Sequence, residues 1–249
     1  KLSKRLGNYP DPGGLAAKYG ADTLRLLLLS ATRFGEDMRF SDRLVGELYR
    51  RCTLLLWNVW QYYQTYGSTE NEKGKVQSEK QPRNPQNPSV LDRWVLARTA
   101  KLTADVQTAM DAYHIDDAAR ALVPFVEDMS TWYVRRSRGR AEALPVLGEV
   151  LRQFTLVAAP FIPFLAEHIH RELTGKSPHV EDWPTDQSPK SAERVLDAPV
   201  LEHMQVIREL ASAGHRARAE ANVKVRQPLA EVTVVGEFPA LAAAGEEGL

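Results

Sequence analysis

With one cysteine in 249 residues, the chain lacks what many small catalytic and extracellular domains rely on. Cys52 has no second thiol for an internal disulfide, and a multi-cysteine zinc site is equally excluded. Net charge is missing as well. The 32 Lys and Arg balance the 32 Asp and Glu, so any surface for nucleic acid has to be local. No apolar run approaches the roughly 20 residues that cross a bilayer, and no signal peptide is read at the start. A soluble cytoplasmic protein without membrane contact is expected. Gly13-Gly14 lacks the flanking pattern of a phosphate-binding glycine loop. His168 and His170 are two residues apart and point to different sides of a helix, so they cannot share a metal as an i, i+4 pair does. No metal site is expected, and no nucleophile–histidine–acid set is present.

What is there is helical periodicity. The apolar fraction, 43%, suffices for a sizeable core in one large or two ordinary domains. Asp11-Pro12 reads as a helix start, with Pro at the first helical position, and Gly20 as its end. Ala21–Ala31 is nearly continuously apolar, so it must be covered on most sides. Ser41-Asp42 opens a long helix to about Tyr66. Its stripe of Leu44, Val45, Leu48, Cys52, Leu55, Leu56, Val59 and Tyr63 recurs at three and four. Trp57, Trp60, Tyr62 and Tyr66 widen that stripe, which is read as core and not as a base-stacking surface. Cys52 is expected to be buried and inert.

Residues 68–88 are polar and hold three prolines, so an exposed loop is expected there. Ser89 and Asp92 form a capping-box-like start for the next helix. Asp116 and Asp117 sit at the favourable end of a third long helix. A fourth helical region, 142–173, must break at Pro160 and Pro163. A fifth follows Asp197. Only Leu229–Val235 alternates like a strand. Helix count and short connections give a mainly α protein, an antiparallel helix bundle followed by a short β segment.

Two clusters carry chemistry. Trp132-Tyr133-Val134-Arg135-Arg136-Ser137-Arg138-Gly139-Arg140 places four arginines in six residues beside two aromatics. Guanidinium forks suit phosphates and stack on unpaired bases. The same residues also suit a helix C-terminus that complements its dipole. His215, Arg216, Arg218, Lys224 and Arg226 form a second basic face, either an RNA contact or an ordinary wet surface. The other cluster is Lys1-Leu2-Ser3-Lys4, where two ammonium groups flank a hydroxyl. Gly7, Pro10 and Pro12 keep the loop out of regular helix. Such a loop suits a triphosphate or pyrophosphate.

The run KLSKRLGNYPDP, followed by Tyr19-Gly20-Ala21-Asp22-Thr23-Leu24-Arg25, resembles the lysine signature loop of class I aminoacyl-tRNA synthetases and the helices after it. Leu2 stands for the family's Met, and Arg5 for its last Ser. Asp128–Arg138, Ala158–Glu167, Val180–Pro184 and Asn222–Leu229 are similar to runs in the anticodon-binding helical domain of the isoleucine branch. The matches fall in order from residue 1 to about 235. The valine and leucine branches share the layout.

The resemblance implies a tail of the catalytic domain at 1–40, a helical anticodon-binding domain at 41–225, and the start of a β-containing segment at 226–249. It implies an isoleucine–tRNA ligase as parent, using ATP (with Mg), with Lys4 first, Lys1 second and Ser3 in support at the nucleotide. Trp132, Arg135, Arg136, Arg138 and Arg140 are then the expected tRNA contacts. The family's His-x-Gly-His element, nucleotide-binding sheet and editing domain are not in these residues, so the chain is expected to be a piece of a longer protein and inactive by itself. Two other readings stay open: a free-standing tRNA-binding helical module, and a purely structural or partner-docking bundle.

Overall fold

Asp11 starts the first helix. Its carboxylate accepts from the amides of Gly13 and Gly14 at 3.1 and 2.8 Å, satisfying two donors that a helix N-terminus leaves unpaired. The computed structural model describes residues 11–33, 35–37, 40–67, 88–184, 197–231 and 233. Helix α1 is Pro12–Tyr19 and α2 is Ala21–Ser30. Gly20 joins them at φ +84°, a conformation that a side chain would strain. Ser41 caps α3, Asp42–Leu48, which passes through a π-helical stretch, Tyr49–Thr53, into α4, Leu54–Gly67.

Ser89 and Asp92 form the expected capping box at the start of α5, Val90–Asp111. A three-residue turn leads into α6, Ile115–Glu127, and a second π-helical stretch, Asp128–Val134, leads on into α7, Arg135–Ser137. Helix α8, Ala143–Ala158, stops before Pro160, and α9, Pro163–Thr174, begins on Pro163. Helix α10, Ala198–Glu220, is capped by Asp197, whose carboxylate accepts from Val200 N. The described residues contain no strand. Of the strand expected over 229–235, residues 229–231 and 233 are described and are not in a strand; most of the expected loop at 68–88 and the lysine loop lie outside the described residues.

The bundle is α5 packed on α6, α8 and α10, with α4 and α9 against α8. Its centre is aromatic: Trp94, Tyr133, Phe125, Phe154 and Phe161 are almost fully buried. Phe125 and Phe154 stack at 5.3 Å, within the range in which aromatic pairs add to plain burial. Cys52, Leu56, Val59 and Trp60 face this core as the periodicity requires, while Leu44, expected on the same stripe, is exposed.

Helices α1 and α2 are joined to the bundle through α2. Leu26 enters the main core. Asp22 is buried, and its two carboxylate oxygens accept from Phe164 N (3.3 Å) and Leu165 N (2.6 Å) at the N-terminus of α9. Burial pushes the Asp22 carboxyl pKa up, against the two backbone amides that pull it down. Arg120 of α6 donates to Ser30 O at 3.0 Å, where α2 ends.

Candidate nucleic-acid interface

The π-helical stretch Asp128–Val134 sets the geometry of the basic cluster. A π turn inserts an extra residue into the helix and re-aims the side chains after it. Trp132 lies half-buried there, its indole N–H directed to Met204 Sδ of α10 at 3.1 Å. The Arg136 guanidinium lies over the Trp132 ring, with its central carbon 3.3 Å from the ring centroid. Partial burial, then the charges of Arg135 and Arg208, press the Arg136 pKa below the usual guanidinium range. An arginine remains charged under such pressure, so a cation backed by an indole is held at the surface.

A third arginine completes the assembly from another helix. Arg208 of α10 lies 5.5 Å from the Trp132 ring centroid and 5.9 Å from that of Trp94. It is held there by Asp128, whose Oδ1 it meets at 2.5 Å. The other oxygen of Asp128 accepts from Arg98 of α5 at 3.0 Å. Asp128 is 5% exposed, and two guanidiniums offset the cost of burying its charge. One carboxylate therefore ties α5, the π turn and α10 together beneath the aromatic–arginine stack.

Of the residues the sequence singles out, Arg135, Arg136 and Arg138 are exposed. Arg135 and Arg138 have no hydrogen bond or ion pair to other described residues, so their donors face solvent. Arg140 stands apart. It donates to Asp92 Oδ2 at 2.5 Å and Ser89 Oγ at 3.0 Å, and is engaged at the start of α5. Arg98, Asp128 and Arg208 escaped the sequence reading. Their signal was present: Asp128 lies between Val126 and Met129 on an inward helical face, and Arg208 falls one turn after Met204. Charges on apolar faces need partners, but which partners depends on helix packing.

The second basic face lies on α10 and the turn after it. Arg216 is exposed and lines an open groove of ≈ 640 Å³ with Gln205, Arg208, Glu209 and Ser212. Arg218 donates to Lys224 O (3.1 Å) and Gln227 O (2.8 Å), closing the turn that follows the helix. His168 packs between Trp57 and Trp60, and His170 is buried against Thr155 Oγ1 at 2.7 Å. Among the described residues no group of three or more His, Cys, Asp or Glu is placed to hold a metal ion. No described helix is long and apolar enough to cross a membrane. Lys1, Ser3 and Lys4 lie outside the described residues.

Residues 92–234 match the family model described as the anticodon-binding domain of tRNA ligase. Residues 1–41 match that of tRNA synthetases class I (I, L, M and V). Isoleucine–tRNA ligase of Chlamydia trachomatis serovar D is 38% identical over 95% of this chain. That of Deinococcus radiodurans is 36% identical over 96%, and isoleucine–tRNA ligase 2 of Bacillus anthracis is 36% identical over 94%. The chain spans 22–23% of the length of these relatives. Among solved structures, a ternary complex of Agrobacterium radiobacter K84 agnB2 LeuRS with tRNA and LeuAMS aligns at a TM-score of 0.54 and 22% identity. It covers 79% of this chain and 23% of that one, a likeness of fold.

Proposed function

The chain belongs to the anticodon-binding domain family of tRNA ligases, and from that premise we propose that it is the part of an isoleucine–tRNA ligase that grips the tRNA anticodon arm and carries the lysine loop that meets ATP. The observation that carries the reading is the Trp132–Arg136 stack, with Arg135 and Arg138 exposed beside it. An indole-backed guanidinium offers a flat cationic face to an unpaired base, and free arginine forks meet the phosphates on either side. Arg140 serves the same surface from beneath, by holding α5 through Asp92.

The parent reaction is activation of isoleucine by ATP to its adenylate, with release of pyrophosphate, then transfer to tRNA. Lys4 and Lys1 neutralise charge building on the departing pyrophosphate, and Ser3 adds a hydrogen bond. Mg accompanies the nucleotide phosphates in that reaction. Charging tRNA for translation places the parent enzyme in the cytoplasm.

The test is binding of the chain to isoleucine tRNA and to valine tRNA across a salt series. Tighter binding to isoleucine tRNA is expected, with the double variant R135A/R136A weaker by about ten-fold or more near 0.15 M salt, as the loss of one single-strand phosphate contact and one base stack requires. Equal, weak binding of both RNAs by the unaltered chain would overturn the reading.

A further inference from the structure

Among the described residues, the second half of α10 buries no side chain against the bundle. Val200 and Met204 bury its first half. From Ser212 to Ala221 nearly every residue is exposed, around the whole circumference. A helix that is wet on all sides needs many internal pairs or a partner. The groove-lining stretch carries one such pair, Gln205 to Glu209 at 3.0 Å, and Gly214 lowers helix propensity further.

Its charge is one-sided. Between residues 208 and 226 five arginines and lysines face two glutamates. The groove positions 205, 208, 212 and 216 recur at three and four, so they share one face. That face starts at Arg208, already stacked toward Trp132, and reaches Arg216 about 12 Å further along the axis, at 1.5 Å per residue. Stacked nucleotides rise about 3.4 Å each, so this is the reach of about three.

We propose that this face of α10 is a phosphate track continuing the RNA-binding surface: with one base stacked on Arg136, the strand runs along α10 past Ser212, with phosphates against Arg208 and Arg216. The inference rests on the tRNA reading above. It adds a second, sequence-blind part to the interface, because phosphate contacts position RNA without reading it. Glu209 also lines the groove with its charge, and the two arginines outnumber it.

Arg216→Ala is the clean variant, since Arg216 has no other hydrogen bond or ion pair to described residues. In the chain as it stands, R216A should reduce the slope of log affinity against log salt by about 0.7 for isoleucine tRNA and for valine tRNA alike. Affinity near 0.15 M salt should fall about four-fold, with the preference between the two RNAs unchanged. A second measurement does not depend on affinity. In S212C the new thiol is exposed while Cys52 is buried, so a photo-crosslinker attached at residue 212 should join to the RNA. Unchanged salt slope in R216A together with no crosslink from residue 212, while the parent chain still binds isoleucine tRNA, overturns the track alone. Failure of the unaltered chain to bind RNA overturns the track and the proposed function together.

Discussion

Asp92 is 3% exposed, and both its oxygens are engaged. Oδ1 accepts from Tyr133 Oη at 2.8 Å; Oδ2 takes Arg140 at 2.5 Å and Ser89 N at 3.2 Å. An asparagine here places an amide N–H₂ against a donor and leaves the Arg140 guanidinium without its counter-charge. D92N should therefore cost about 3 kcal/mol of stability, the scale for breaking a buried pair from one side, read as a lower urea midpoint at unchanged slope. Cys52 gives a pH prediction. Burial pushes its thiol pKa up to about 12. The unfolded chain ionises this thiol from about 8.5 and the folded chain does not. The stability Cys52 contributes is complete below pH 8.5 and is lost as pH rises toward 12. Alkaline unfolding of C52A should show a shallower loss over that window. At pH 8 a thiol-directed alkylating agent should leave the native chain unlabelled and label it once urea unfolds it.

At the scale of elements, capping chemistry made four of the ten described α-helix starts legible. Asp11, Ser41, Ser89 and Asp197 each accept from an amide of the turn they precede. Pro160 and Pro163 separate α8 from α9 where ring geometry requires it. The π-helical stretches were not legible, because their i→i+5 bonding leaves no mark in a count of threes and fours. One extra residue rotates the next turns of the helix by roughly 100°, so a stripe drawn through Tyr49–Thr53 includes Leu44, which is exposed. The crossing of α4 and α8 is another consequence of packing alone. A Cβ built on Gly148 would meet Tyr63 Oη at 2.7 Å and two ring carbons at 3.0 Å. Ala is worth about 1 kcal/mol more than Gly inside a helix, but here the tyrosine has to move. G148A is expected to destabilise the chain by about 1–2 kcal/mol by overpacking and, in a Y63A background, to stabilise it by about 0.5–1 kcal/mol. A thermal double-mutant cycle measures both, and additive effects would show that the two helices are not closed on that contact.

For the whole molecule, a net charge of zero coexists with a basic stretch and a basic helix end. The family was legible in residue runs, whereas the Arg98–Asp128–Arg208 tie required three elements to meet in space. Helix α2 is joined to this same body through Asp22, Arg120 and Leu26, so it and the arginine-bearing elements share a core. Sharing a core does not make an active site. Two lysines and a serine can neutralise a leaving pyrophosphate, but recognition of isoleucine and adenine needs an enclosed pocket with placed polar groups, and the described bundle fills its interior with aromatic side chains. The chain should therefore bind isoleucine tRNA while giving no isoleucine-dependent exchange of pyrophosphate into ATP under the same buffer conditions. Exchange above the amino-acid-free background, abolished by Lys4→Ala, would mean that these residues assemble a pocket of their own. Binding without exchange would show that these 249 residues hold the RNA without activating the amino acid.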